Sequence, residues 1–182
     1  LIAATVDLLT RFADPVLVSA SGTTAGESFR FLGKRLVADE TPGLGPLSGL
    51  VAALEASPHD LCLVVACDMP FLSGPLLEHL VEVAVRSPSA QVVVPRTERL
   101  HPLHAVYRRS VIPVLRERLA RRELAVHAAL AAVTTVEVLE SELRSYDPGL
   151  RSLENVNTPE DLARAVGSAA ALAALLAVRA DP

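Results

Sequence analysis

The sequence predicts an α/β sandwich around a mostly parallel sheet, and three observations carry that reading. Leu61–Val65 is an uninterrupted apolar run, the pattern of a strand buried on both faces of a parallel sheet rather than of a half-wet antiparallel one. Other short apolar runs alternate with stretches of helical period, as strands joined by crossover helices do. The run at Val65 then gives way to Ala66-Cys67-Asp68-Met69-Pro70: small residues, a carboxylate, and a proline that disfavours helix in the residue before it. A carboxylate at the carboxyl end of a strand stands where open α/β sheets bind ligands, its desolvation offset by a cation or hydrogen bonds. The alternative for Asp68 is an N-cap or turn residue.

The chain opens on a helical pattern from Ile2 to Phe12, with Ala3, Val6, Leu9 and Phe12 in step. A fold of this class opens on a strand, and Leu1 is not a start methionine, so a segment preceding Leu1 is expected to be absent from the sequence. The helix ends before Asp14-Pro15, Val16–Ser21 is the next strand, Ser21 to Gly26 a loop, and Arg35–Ala38 a short strand leading to Asp39. Pro42-Gly43-Leu44-Gly45-Pro46 is the densest punctuation, and Pro46 fits the first turn of a helix ending near Ala56. Such a loop sets backbone N–H groups at a helix N-terminus, where an anion or a base edge can dock; an ordinary tight turn has the same composition.

Beyond Asp68, a helix Gly74–Arg86 stops at Ser87-Pro88, and a strand Gln91–Val94, a polar loop Thr97–His101 and a strand Leu103–Tyr107 follow. Helices over Ser110–Ala120 and Glu123–Ala132 precede Thr134–Leu139, whose alternation suits an edge or antiparallel strand. Thr158-Pro159-Glu160-Asp161 is a helix start, with Thr158 as cap and Pro159 at the first position. The alanine-rich Ala169–Ala180 is expected to be a terminal helix docked on the body or on a second subunit.

With 182 residues, 51% hydrophobic and 21% charged, the chain is expected to be one packed domain. A net charge of −4 gives no electrostatic footprint for nucleic acid. Cys62 and Cys67 are too few for a disulfide framework or a closed zinc site, and are expected to be small core residues in a reducing cytoplasm. No apolar stretch is long enough to span a membrane, and no signal-peptide pattern is read at the start.

Four segments resemble, in this order, the molybdenum cofactor guanylyltransferases: VADETPGLGPLSGL (Val37–Leu50), VVACDMPFL (Val64–Leu72), HPLHAVY (His101–Tyr107) and ENVNTPEDLA (Glu154–Ala163). The resemblance reaches from the first helix to Ala163. It implies a Rossmann-like three-layer sandwich of the nucleotidyltransferase type, with a nucleotide-binding half (residues 1–100), an acceptor-binding half (101–166) and a C-terminal helix (167–182). It further implies transfer of GMP from GTP to the phosphate of molybdopterin or its molybdenum-bearing form, with Mg2+. The partners implied are other molybdenum cofactor biosynthesis proteins and the chaperones of recipient molybdoenzymes, with no nucleic acid and no membrane.

By the same resemblance Asp68 is the metal-binding and catalytic aspartate, and Asp39 a second acidic residue of the site. Gly45, Pro46, Leu47 and Gly49 form the wall against guanine and ribose, Asn155 and Asn157 line the pterin side, and His101-Pro102 shapes the same cleft. Ser21 stands near a position where relatives often carry asparagine. The largest departure is that the family's glycine-rich loop, LAGGxSxRMGxDK, has no match, so the first strand and the triphosphate loop are expected upstream of Leu1.

Nucleotidyl transfer needs a metal against the α-phosphate charge, donors for the leaving pyrophosphate, and a cleft that aligns the incoming phosphate. It needs no strong general base, because a phosphate monoester is already largely dianionic at neutral pH. His104 is accordingly expected to pack in its strand, His101 to stand at the cleft, and His59, His79 and His127 to lie on the surface or on helix flanks. Two other readings stay open on these residues: transfer of CMP to molybdopterin or of nucleotides to sugar phosphates, and a degenerate domain that binds nucleotide or a partner without catalysis. GPLSG and Met69 favour the guanylyl reading by resemblance.

Overall fold

The computed structural model describes residues 2–11, 13–20, 29–38, 43–156, 158 and 161. In chain order the elements are α1 (Ile2–Leu9), β1 (Leu17–Ala20), β2 (Arg35–Ala38), α2 (Pro46–Ala56), β3 (Leu61–Val65), α3 (Gly74–Arg86), β4 (Val92–Arg96), β5 (His104–Arg108), α4 (Ile112–Ala120), α5 (Val126–Leu130), β6 (Thr135–Leu139) and α6 (Glu140–Leu143). Among the described residues no helix is long and apolar enough to cross a membrane.

Local chemistry explains most boundaries. Pro46 opens α2 behind Gly45, whose φ of 69° suits glycine. Ser73 caps α3, its Oγ accepting from the Leu76 N–H at 3.3 Å. The helix expected over Glu123–Ala132 is confined to Val126–Leu130, because α4 ends in a left-handed turn at Arg122 (φ 57°) and the chain re-enters helix late. Thr158 is the cap expected of it: its Oγ1 accepts from Asp161 N–H at 3.0 Å, and its own N–H donates to Asp161 Oδ2 at 3.1 Å.

β1 and β2 pair in parallel, Leu17 opposite Arg35 through Ala20 opposite Ala38. The other strands form a sheet in the order β3-β5-β4-β6. β5 runs antiparallel to both its neighbours, and β6 runs parallel to β4. Strands β3, β4 and β6 therefore share one direction and β5 is the reversed strand, giving the mixed α/β fold that the sequence predicts.

The period of two along β4 divides the core into layers. Val92 and Val94 pack with Leu47, Leu50 and Leu54 of α2 and Leu115 of α4 on one face. Val93 packs with Leu76 and Leu80 of α3, Val138 of β6 and Leu143 of α6 on the other. Each fully buried leucine contributes roughly 1.5–3 kcal/mol of apolar burial, so these two layers hold the sheet between its helices.

Two expectations are corrected. Leu61–Val65 has apolar neighbours on both faces, Cys62 and Val64 on one and Leu61 and Leu63 on the other, but every residue of β3 is only half-buried, and among the described residues it pairs on one edge, with antiparallel β5. An apolar run reports contact with apolar neighbours, and Leu63 and Val65 have these from α1, β1 and Leu77, but it does not report whether both edges are paired. The strands buried nearly throughout are β4 and β5. Thr135–Leu139 is an edge strand of the larger sheet, one of the two settings its alternation suits, and runs parallel to β4, Val138 facing the α3 layer and Leu139 solvent. Cys67 is exposed, two residues past the end of the strand, rather than a core residue.

Candidate active site

The carboxyl ends of β3 and β4 and the amino end of β5 lie at one side of the larger sheet, since Val65 stands opposite His104 and Ala66 N–H continues the ladder to Leu103 O at 2.8 Å. Asp68 follows directly. It does not cap α3, a role Ser73 fills, and its backbone carbonyl accepts from Val156 N–H at 2.8 Å. Its Oδ2 accepts from Asn155 Nδ2 at 2.7 Å, an orientation the chemistry requires, because a flipped amide would set oxygen against oxygen. Its Oδ1 is buried and has no hydrogen-bond partner among the described residues.

A carboxylate oxygen left unpaired in a buried position is costly unless a cation or donor meets it. That fits Mg2+, which takes one or two carboxylates and fills its octahedron with waters and substrate phosphates. A cage of protein ligands is therefore not needed, and no group of three or more His, Cys, Asp or Glu suited to a metal occurs among the described residues. Asp39 and Asn157, like Ser21, lie outside the described residues.

The segment carrying Asn155 is docked on the Asp68 turn at a further point: the Arg151 guanidinium lies 4.0 Å over the Phe71 ring. Leu153 anchors it from below in the α3 layer. Beside this junction opens a cavity of about 570 Å3 lined by Arg99, Arg151, Leu153, Glu154, Asn155 and neighbours. Arg99 and Arg151, which line this cavity, and Phe71, which Arg151 covers, were not singled out from the sequence. The only signal for Arg99 was its place in the polar loop between β4 and β5.

His101 ends that loop, buried with 8% of its surface exposed, its Nε2 paired with Thr97 Oγ1 at 2.9 Å. Burial, and then the nearby Arg99 charge, hold its pKa below the ordinary imidazole value. Pro102 O accepts from the fully buried Tyr107 hydroxyl at 2.7 Å, so the loop is pinned to the sheet. His101 is thus held inside the fold behind the loop that carries Arg99, and is not among the residues that line the cavity. His104 is fully buried, neither ring nitrogen has a partner among the described residues, and burial holds its pKa down to about 4. It is a neutral packing residue, as expected. His79 corrects an expectation: it is buried, bonded to Glu142 Oε1 at 2.7 Å and stacked on Tyr146 at 4.1 Å, because it lies on the inner side of α3.

At the start of α2, Gly45 and Pro46 are exposed. The Leu47 side chain is fully buried in the core beneath the turn, so only its backbone stands at the surface side of this loop. Gly49 faces β1, where a Cβ would stand 2.9 Å from Ser19 Oγ, the atom that donates to Gly49 O at 3.1 Å. Glycine there serves close packing of α2 on β1.

Residues 1–138 match the family model described as the MobA-like NTP transferase domain. The chain is 40% identical over 129 residues, 70% of its own length, to the probable molybdenum cofactor guanylyltransferase of Chloroflexus aggregans. It is 34% identical over 171 residues to that of Methanosarcina mazei, covering 88% of this chain and 75% of the relative. It spans 62% and 64% of the length of the relatives from C. aggregans and Pelotomaculum thermopropionicum. Among solved structures, molybdopterin-guanine dinucleotide biosynthesis protein A of Archaeoglobus fulgidus matches with a TM-score of 0.75 at 26% identity, over 88% of this chain and 82% of that one. The 2-C-methyl-D-erythritol 4-phosphate cytidylyltransferase of Thermus thermophilus, at 18% identity and a TM-score of 0.58 over 89% and 85% of the two chains, shares the fold. With residues 1–138 inside the family model and the M. mazei relative covered over 75% of its length, the chain belongs to the family of MobA-like NTP transferase domains.

Proposed function

We propose that the protein transfers GMP from GTP to the phosphate of molybdopterin or its molybdenum-bearing form. An oxygen of the acceptor phosphate attacks the α-phosphorus, the bond to the β-phosphate oxygen breaks, and pyrophosphate leaves. The observation that carries this reading is Asp68: a strand-end carboxylate with one oxygen held by Asn155 and the other buried and unpaired among the described residues, next to a cavity. Asp68 would hold Mg2+, which would supply charge stabilisation to the reacting phosphates.

The chain's own residues bind and orient. Asn155 fixes the Asp68 carboxylate, Asp39 assists through water, and the backbone at Gly45 and Pro46 offers donors and acceptors to the guanine edge, with Leu47 and Gly49 holding that turn in place. His101 and Asn157 shape the acceptor side. No imidazole is asked to take a proton, in keeping with the buried, neutral His104.

The test is calorimetric competition between GTP and CTP for the full-length gene product, followed by a GMP-transfer assay with saturating Mg2+. GTP should bind at least ~10-fold tighter, since a pocket built on hydrogen bonds rejects a mismatched edge. Equal or tighter binding of CTP would move the protein to cytidylyl transfer, and nucleotide binding without transfer would make it a degenerate domain.

A further inference from the structure

We propose that Asp147 is a positioning residue of the site: through Ser152 it sets where the Asn155 side chain meets Asp68. Only the effect on transfer rests on the nucleotidyl-transfer reading; the placement of Asn155 does not.

Two stretches of chain are joined beside Asp68 in opposite senses. Ser73 Oγ donates to Tyr146 O at 3.0 Å, the Phe71 ring lies under the Arg151 guanidinium at 4.0 Å, and Asp68 takes Asn155 Nδ2 at 2.7 Å on its side chain and Val156 N–H at 2.8 Å on its carbonyl. As the first stretch steps back from Ser73 to Asp68, the second steps forward from Tyr146 to Val156. The second is the longer, so it has to gather slack between its two ends, and the way the slack is folded decides which residue arrives at Asp68.

That slack is gathered at Asp147, just past α6. Its N–H is fixed on the carbonyl of the fully buried Leu143 at 2.9 Å. Its Oδ2 accepts from both the N–H and the hydroxyl of Ser152, at 2.9 and 2.7 Å, and its carbonyl accepts from Leu150 N–H at 2.9 Å. The turn so closed holds Leu150 in the left-handed region, at φ 52°, which a residue other than glycine keeps only when its surroundings impose it. Ser152 is fully buried, where a donor is costly to leave unpaired. Leu153 follows, seated in the α3 layer with its N–H on Leu150 O at 3.1 Å, so the short arm that carries Asn155 starts from a fixed point. A shift of about 1 Å in that point would leave the Asn155 amide beyond hydrogen-bond reach of Asp68.

This role asks for an acceptor atom at a set reach rather than for a charge. Asparagine offers the same reach with a neutral oxygen, whereas glutamate keeps the charge and lengthens the arm by one methylene.

The experiment follows the Asn155 side-chain amide by proton–nitrogen correlation NMR in the full-length protein, its signal identified by loss in Asn155→Ala, beside the Mg2+ dependence of GMP transfer. In Asp147→Ala and Asp147→Glu the amide should move to the position of a solvated asparagine. The Mg2+ concentration for half-maximal transfer should rise roughly 10-fold, with kcat at saturating Mg2+ and the KM for GTP little changed. Asp147→Asn should stay close to wild type in both readouts. Ser152→Ala, which gives up only the hydroxyl bond, should move the amide part of the way, and it carries the test if the Asp147 variants do not fold. An amide unmoved in Asp147→Ala, or in Ser152→Ala where that variant carries the test, overturns the proposal, as does an amide displaced as far in Asp147→Asn as in Asp147→Ala. If the amide moves as expected but the wild type transfers no GMP, the positioning role stands and the nucleotidyl reading falls. If Asp147→Ala transfers GMP with unchanged Mg2+ dependence, the positioning role falls and that reading stands.

Discussion

Asn155 Nδ2 reaches Asp68 Oδ2 at 2.7 Å across 87 residues of sequence, and the next backbone N–H, that of Val156, bonds the carbonyl of the same aspartate. The side chain and the backbone of Asp68 are thus held by one segment, and the free direction of its carboxylate is left to Oδ1.

Loss of that grip should show first in metal dependence. Asn155→Ala should raise the Mg2+ concentration needed for half-maximal GMP transfer by roughly 10–100-fold, as removal of an outer-shell partner does, with the thermal midpoint little changed. Asn155→Asp sets two carboxylates against each other and should be worse. Asp68→Asn should keep the fold and abolish turnover; near-normal rates with saturating Mg2+ would remove Asp68 from the metal site.

A second expectation concerns α2 and β1. Gly49→Ala drives a Cβ to 2.9 Å from Ser19 Oγ and should cost about 1–3 kcal/mol in urea unfolding, as overpacking does. Ser19→Ala removes the offending oxygen, so the double variant should recover most of the loss. A cycle with no coupling would show that the contact is not tight in solution.

The buried His104 makes stability depend on pH in a defined direction. Its pKa is about 4 in the folded protein and near 6.5 when unfolded, so between those values the unfolded chain binds more protons. Stability is therefore full above pH 6.5 and falls as pH drops toward 4, by on the order of 3 kcal/mol from this group. The buried His101 acts in the same direction, and Asp147 near His104 opposes it. Urea melts at pH 7, 6, 5 and 4.5 should show a clearly shallower fall for His104→Leu than for wild type. Parallel slopes would mean that the imidazole is solvated.

Arg122 closes α4 in the left-handed region, with its N–H on Leu119 O at 3.0 Å and Glu123 N–H on Arg118 O at 2.9 Å. A side chain is strained there and glycine is not. Arg122→Gly should raise stability by about 0.5–1 kcal/mol, read as a higher thermal midpoint; a lower midpoint would show that the arginine side chain holds more than the strain costs.

The sequence by itself determined what short-range chemistry controls. Pro46 after Gly45 starts a helix because proline is pre-set for its first turn, Thr158 and Asp161 cap each other because they are three residues apart, and Asp68 ends a strand because Leu61–Val65 stops at a turn. The tertiary structure decided what depends on strand order and register. Apolarity cannot say which edge of β3 is paired, so a run that reads as central proved half-buried. Helical period does not reveal that α6 delivers Glu142 to His79, nor that Leu47 turns into the core. Asn155 meeting Asp68, and Arg99 sharing a cavity with Arg151, join residues far apart in the chain. Such pairs are chosen by the packing of whole layers, a cooperative outcome that no local window contains.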